Sequence, residues 1–150
     1  MIGVVSAALL TSAGAVNATP TKNTIYVDGT KVNGAAYMIN NNNYFKLRDV
    51  AAMVNGSTKQ FEVSWNETNK RIDLTTNKAY TVVGGEMALP SSAVKTAKES
   101  KASVFKDGNK ADYTGYNISD NNYYKLRDLC KDMNIGVKFD LATNRVDILT

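Results

Sequence analysis

The sequence predicts an α+β fold of two tandem modules, each a small twisted antiparallel β-sheet of four to five strands wrapped around one α-helix. Three observations carry that expectation. The phrase NNNYFKLRD at 41–49 returns as NNYYKLRD at 121–128, strand-like alternation flanks it both times, and apolar residues at helical spacing follow it. Setting Ile25–Met53 over Val104–Asp132 without a gap gives twelve identities in 29 positions, Asp28/Asp107 through Asp49/Asp128. Five residues are then dropped from the second copy, after which Val63, Arg71, Asp73 and Thr76 match Val137, Arg145, Asp147 and Thr150.

Each copy opens with a short apolar run, IYV or SVF, followed by Asp-Gly, whose glycine accepts positive φ and closes a hairpin. A strand follows in which Tyr37 and Ile39, or Tyr116 and Ile118, share one face. The Asn-rich run turns the chain. Leu47, Val50, Ala51 and Val54, and then Leu126, Leu129, Cys130 and Met133, fall at i, i+3, i+4 and i+7, the apolar stripe of a helix. Asn55-Gly56 and Asn134 end these helices because they tolerate left-handed backbone. Two strands close each copy, Val63/Trp65 with Ile72/Leu74 and Val137/Phe139 with Val146/Ile148, alternating across NETNK and DLATN.

The expected organisation is therefore a first module over 24–76, a linker over 77–103 with an extra strand around Tyr80 and Val82, and a second module over 104–150. The stretch SSAVKTAKESK reads as exposed and flexible. A module of about fifty residues barely offsets its chain entropy, so packing between the copies is expected. Ahead of them, IGVVSAALLTSAGAVNA at 2–18 reads as a secretory leader, with small residues at Val16 and Ala18 before a cut after Ala18. No basic residue stands near Met1, which points to a leader beginning further upstream. No stable membrane span is expected once the leader is removed.

Composition narrows the chemistry. With 43% hydrophobic and 21% charged residues, the 150-residue chain is an ordinary globular sequence, and its net charge of +4 favours polyanionic neighbours. There is no histidine, which removes the commonest metal ligand and general base, and Cys130, the sole cysteine, cannot form an intramolecular disulfide. Cys130 aligns with Ala51 on the apolar helix face and reads as a small buried hydrophobe.

The stretches NYFKLRDVAAMVN with FEVSWNETNKRIDLTT, and NYYKLRDLCKDMNIGVKFDLATNRVDILT, resemble the copper amine oxidase N-terminal-like domain, also called the stalk domain. The family pattern runs from a tyrosine-bearing strand into Leu-Arg at a helix start, then a Val-x-Trp/Phe-Asp/Asn strand and a closing Val/Ile-x-Ile/Leu strand. Lys46 and Lys125 stand where proline is common in the family, and Asn66 stands where the second copy has Asp140. The resemblance implies a five-stranded antiparallel sheet twisted around one helix, in non-catalytic modules of secreted or surface proteins of Gram-positive bacteria. Copper-dependent oxidation belongs to a separate domain with three histidine ligands, and this chain has none.

The candidate surface site is Tyr44, Lys46 and Arg48 in the first copy, and Tyr123, Lys125 and Arg127 in the second. Arginine and lysine beside tyrosine suit a phosphate or carboxylate and a sugar ring. A structural reading competes with it: the arginines tie the helix to Asp73 or Asp147, Asp49 and Asp128 complement the helix dipole, and Tyr37, Tyr44, Tyr116 and Tyr123 fill a core. DGNKAD at 107–112 lacks calcium-loop spacing. The expectation is a non-catalytic secreted or cell-surface module, a spacer or interaction unit of the envelope, without cofactor or metal. The alternative is an electrostatic wall-polymer or glycan binder using Lys95, Lys98, Lys101, Lys106 and Lys110. A carboxylate hydrolase built on Asp49 and Asp73 is the remote one. Partners are sought among anionic cell-wall polymers and other envelope proteins, and not among nucleic acids.

Overall fold

Both Asp-Gly pairs close tight hairpins with left-handed backbone at Asp28 and Gly29 (φ 47° and 85°) and at Asp107 and Gly108 (φ 49° and 85°). A computed structural model describes residues 15–150, and the first thirteen residues of the leader reading, 2–14, lie outside them. Fourteen strands and two helices make up the described chain. The first copy supplies β1 (Ala15–Pro20), β2 (Thr24–Val27), β3 (Thr30–Val32), β4 (Ala36–Ile39), β5 (Asn42–Phe45), α1 (Leu47–Val54), β6 (Phe61–Asn66) and β7 (Arg71–Thr76). The second supplies β8 (Lys95–Glu99), β9 (Val104–Lys106), β10 (Asn109–Ala111), β11 (Gly115–Ile118), β12 (Asn121–Lys125), α2 (Leu126–Asp132), β13 (Gly136–Asp140) and β14 (Arg145–Leu149).

The α+β expectation of two sheets, each wrapped around its own helix, is wrong. The described residues are mostly β, 46% strand and 11% helix, and are centred on a closed six-stranded antiparallel barrel in the order β1-β4-β5-β12-β11-β8. Each copy contributes three of those strands. They meet reciprocally: Phe45 of β5 lies opposite its own counterpart Tyr124 of β12, and Val16 and Ala18 lie opposite Ala97 and Lys95. The remaining strands are exchanged. The β2-β3 hairpin joins β14 of the second copy in parallel, and the β9-β10 hairpin joins β7 of the first, giving two four-stranded sheets that each mix the copies. The physical reason lies in the repeat. Both hairpins present the same residue types, so pairing within a copy and pairing across copies satisfy the same local rules, and exchange merges two marginal cores into one.

The barrel interior holds Tyr37, Ile39 and Tyr44 with their counterparts Tyr116, Ile118 and Tyr123, and only alanines, Ala18 and Ala97, come fully buried from β1 and β8. Six strands enclose too narrow a space for large residues on every strand, so small and large alternate. The rings pack edge to face, Tyr37 on Tyr123 at 5.2 Å and Tyr44 on Tyr116 at 5.4 Å. Outside the barrel a second core runs unbroken through both copies and includes Phe45, Val50, Val54, Leu126, Leu129 and Ile148.

Only Asn40 and Asn41 of the Asn-rich run make the turn, both left-handed, and Asn42 and Asn43 already belong to β5. The stretch read as a flexible linker contains β8, whose Ala97 is fully buried, while Tyr80 and Val82 extend no sheet. The leader boundary after Ala18 falls inside β1, and a cut there would remove four of its six residues.

Candidate functional site

Two grooves lie at the starts of the helices, and each is built from both copies. In the first, Lys46, Leu47 and Arg48 at the head of α1 face Trp65 of β6 across a space of about 260 Å³, and Asn121 and Asn122 of the second copy's β12 complete the wall. In the second, Lys125, Leu126 and Arg127 face Phe139 of β13 across about 80 Å³, with Asn42 and Asn43 from β5. These residues correspond one for one. The β5–β12 seam causes the correspondence, because it carries each copy's tight turn to the helix start of the other.

Trp65 and Phe139 are the residues that sequence reasoning misplaced. Alternation put them on one apolar face with Val63 and Val137, yet they are 52% and 40% exposed. The strands that carry them, β6 and β13, are edge strands of the exchanged sheets. Trp65 donates from its indole Nε1 to Glu67 at 3.3 Å, which orients the ring without covering it.

The structure divides the six candidate residues. Tyr44 and Tyr123 are buried inside the barrel, which removes them from any surface platform, and burial pushes both phenols up to about 12. Lys46, Arg48, Lys125 and Arg127 do line the grooves. Lys46 Nζ sits 5.7 Å from the Tyr123 ring, and the Arg48 guanidinium 5.9 Å from the ring of Tyr80. Neither arginine reaches the aspartate expected for it. Asp73 pairs with Arg71 at 2.8 Å and Asp147 with Arg145 at 2.8 Å, and those two arginines stack on Phe105 and Tyr26 of the opposite copy.

The other candidates scatter. Asp49 is buried and accepts from the Met87 N–H at 2.8 Å, with burial holding its carboxyl above the usual range, whereas Asp73 is held by Arg71 and Asn66. Lys106 is engaged with Asp132 at 3.1 Å, Lys95 and Lys98 belong to barrel strand β8, and Lys110 lies on β10. Cys130 is buried, and the loss of solvent pushes its thiol up to about 12. Asp107 of DGNKAD accepts from the Thr76 N–H and hydroxyl at 3.0 and 2.6 Å. Among the described residues no group of three or more Cys, Asp or Glu side chains is placed to hold a metal ion, and no helix is long and apolar enough to cross a membrane.

No family model matches the chain. No curated protein and no solved structure matches it either.

Proposed function

We propose that the chain is a non-catalytic binding module of the cell envelope whose two grooves take an anionic glycan or wall polymer. One observation carries this reading. A solvent-facing aromatic ring recurs at equivalent positions of both copies, each time beside a lysine, an arginine and side-chain amides. A ring face packs on the C–H face of a sugar, amides exchange hydrogen bonds with hydroxyls, and the cations meet carboxylate or phosphate. The net charge of +4 draws such a polymer in from a distance. The competing spacer reading is favoured by the exchanged sheets and the unbroken outer core, which make both copies one body. Membership of the stalk-domain family remains a proposal that rests on the repeated Leu-Arg and Val-x-Trp/Phe phrases.

Export is part of the proposal, with its boundary moved. A mature chain that keeps β1 begins at or before Ala15, and Ser12 and Gly14 provide small residues at the third and first positions before that point.

Trp65 is the only tryptophan, so its fluorescence reports the first groove directly. Co-sedimentation with insoluble Gram-positive wall is expected at low salt and is lost at high salt, accompanied by a Trp65 spectral change. Replacing both rings, Trp65→Ala with Phe139→Ala, should weaken retention by about tenfold or more. Recovery in the supernatant at every salt concentration would leave the spacer reading in its place.

A further inference from the structure

The register of the barrel seams defines a two-fold axis. Phe45 lies opposite Tyr124 and Asn17 opposite Thr96, and in the gapless alignment of the copies each pair joins a residue to its own counterpart. Antiparallel strands that pair a residue with its counterpart are related by a half-turn about that pair. The two seams, β5 with β12 and β1 with β8, lie three strands apart in a closed ring of six, so one axis crosses the barrel through both. The outer strands obey the same axis: Asp28 holds Thr150 as Asp107 holds Thr76.

The half-turn exchanges the two grooves. It carries Lys46, Arg48 and Trp65 onto Lys125, Arg127 and Phe139, and Asn121 and Asn122 onto Asn42 and Asn43. None of the four cations enters an ion pair among the described residues, and the groove walls hold one carboxylate, Asp120, whose counterpart is Asn41. The chain that follows Thr76 lines no part of the first groove, which stays open beside it. Along β5 the grooves are close: Asn43 of one and Lys46 of the other are three residues apart, about 10 Å at the usual rise of a strand.

We infer that the grooves hold two separate polymer chains and that the molecule cross-bridges them, an inference that rests on the glycan reading. A polysaccharide has distinct ends, and a groove with its ring on one strand and its cations at a helix start takes the chain in one direction. The line from groove to groove crosses the axis at right angles, so the half-turn reverses any chain drawn along it. A single straight chain that enters the first groove correctly meets the second backwards. To enter both correctly it must fold back on itself, at a conformational cost that a second chain does not incur. Two chains running antiparallel satisfy both grooves at once.

In the test, the full chain is bound to insoluble Gram-positive wall at low salt, washed, and offered fluorescently labelled soluble fragments of the same wall. Captured label reports a second polymer chain. The parent should capture. Trp65→Ala and Phe139→Ala, each with one intact ring, should stay on the wall but capture about tenfold less. Both rings are exposed, so neither change opens the core, and retention on the wall shows that each variant is folded. With long soluble fragments in excess, sedimentation should give two polymer chains per protein. A parent that stays on the wall but captures nothing, or that takes one long fragment per protein, would overturn cross-bridging and leave the glycan reading intact. Undiminished capture in both single variants would assign the bridging to association between copies and likewise overturn it. A parent that never binds the wall would overturn the glycan reading and this inference together.

Discussion

The two helices start from the same four residues, Lys-Leu-Arg-Asp, and end up in different surroundings. On α1, Asp49 is buried and Arg48 is half-buried with its guanidinium over the ring of Tyr80; on α2, Asp128 is half-buried and Arg127 exposed. The strand beyond repeats the contrast. Val63 is buried beside Glu62, which accepts from the Thr81 N–H and hydroxyl at 3.0 and 2.5 Å, whereas Val137 is half-buried next to Gly136. Inside the barrel the copies match, Tyr37 against Tyr123 and Tyr44 against Tyr116. A repeated motif thus fixes what it buries against its own twin, and on α1 the chain that follows covers part of the rest.

The largest effect should erase the distinction between the copies. Phe45 is 1% exposed and sits on the seam opposite Tyr124, within the core shared by α1 and α2. Phe45→Ala should cost about 3–5 kcal/mol, and urea unfolding followed by probes in each copy should give one coincident transition. Two separated transitions would mean that the copies fold independently despite their exchanged strands.

Acid should instead sharpen the distinction, because it acts on residues 80–87, which the Asn55, Glu62 and Asp49 side chains hold against α1 and β6. The Tyr80 hydroxyl, followed by the N–H groups of Val83 and Gly84, holds the Glu86 carboxyl down at about 2 from an ordinary 4.5. At Glu62 burial works upward, but the Thr81 and Val63 hydrogen bonds outweigh it and the carboxyl is lowered. A depressed carboxylate contributes stability that is present above its unfolded pKa and is lost as pH falls through its folded value. Asp49 has the opposite sign: burial raises it, so its contribution is greatest at low pH and fades as pH rises through its folded value. Amide exchange from pH 4.5 down to 2 should therefore release Thr81, Val83 and Gly84 before Met87. Earlier loss at Met87 would show that Asp49, and not the glutamates, anchors the segment.

Local structure was legible in the sequence wherever periodicity and turn chemistry decide it. The stripe of Leu47, Val50, Ala51 and Val54 is buried on α1, Asn134 ends α2 in left-handed backbone at φ 57°, and both Asp-Gly hairpins form. Strand partners were not legible, because β2 and β9 carry matching patterns and alternation does not say which copy receives them. Strands β1 and β8 were hidden for a different reason. A narrow barrel fully buries only alanine from them, and Ala18 and Ala97 give almost no apolar signal amid AVNATP and KTAKE. Of the site, Lys46, Arg48, Lys125 and Arg127 could be found from the repeat. Trp65 and Phe139 could not, since their exposure follows from the edge positions of β6 and β13, which only the exchanged topology defines.

The smallest effect tests whether the exchange is as symmetric as the barrel. Asp28, at the tip of the first hairpin, accepts from the Thr150 N–H and hydroxyl at 2.9 and 2.6 Å, and Asp107 does the same for Thr76 at 3.0 and 2.6 Å. Each hairpin turn therefore clasps the end of the other copy's final strand. The threonine hydroxyl contributes most to holding each carboxyl below its usual range, so both clasps are present above about pH 4 and weaken as pH falls. Thr150→Val and Thr76→Val remove the same hydroxyl and keep the same backbone N–H. Each should lower the thermal midpoint at neutral pH by about 2–4 °C at most, with no difference between them beyond error. A larger loss at Thr76 would show that the first clasp also steers the chain onto α1, because residue 77 begins the segment that Glu62 and Glu86 hold. The two clasps would then be equal in geometry and unequal in consequence, as the two helices already are.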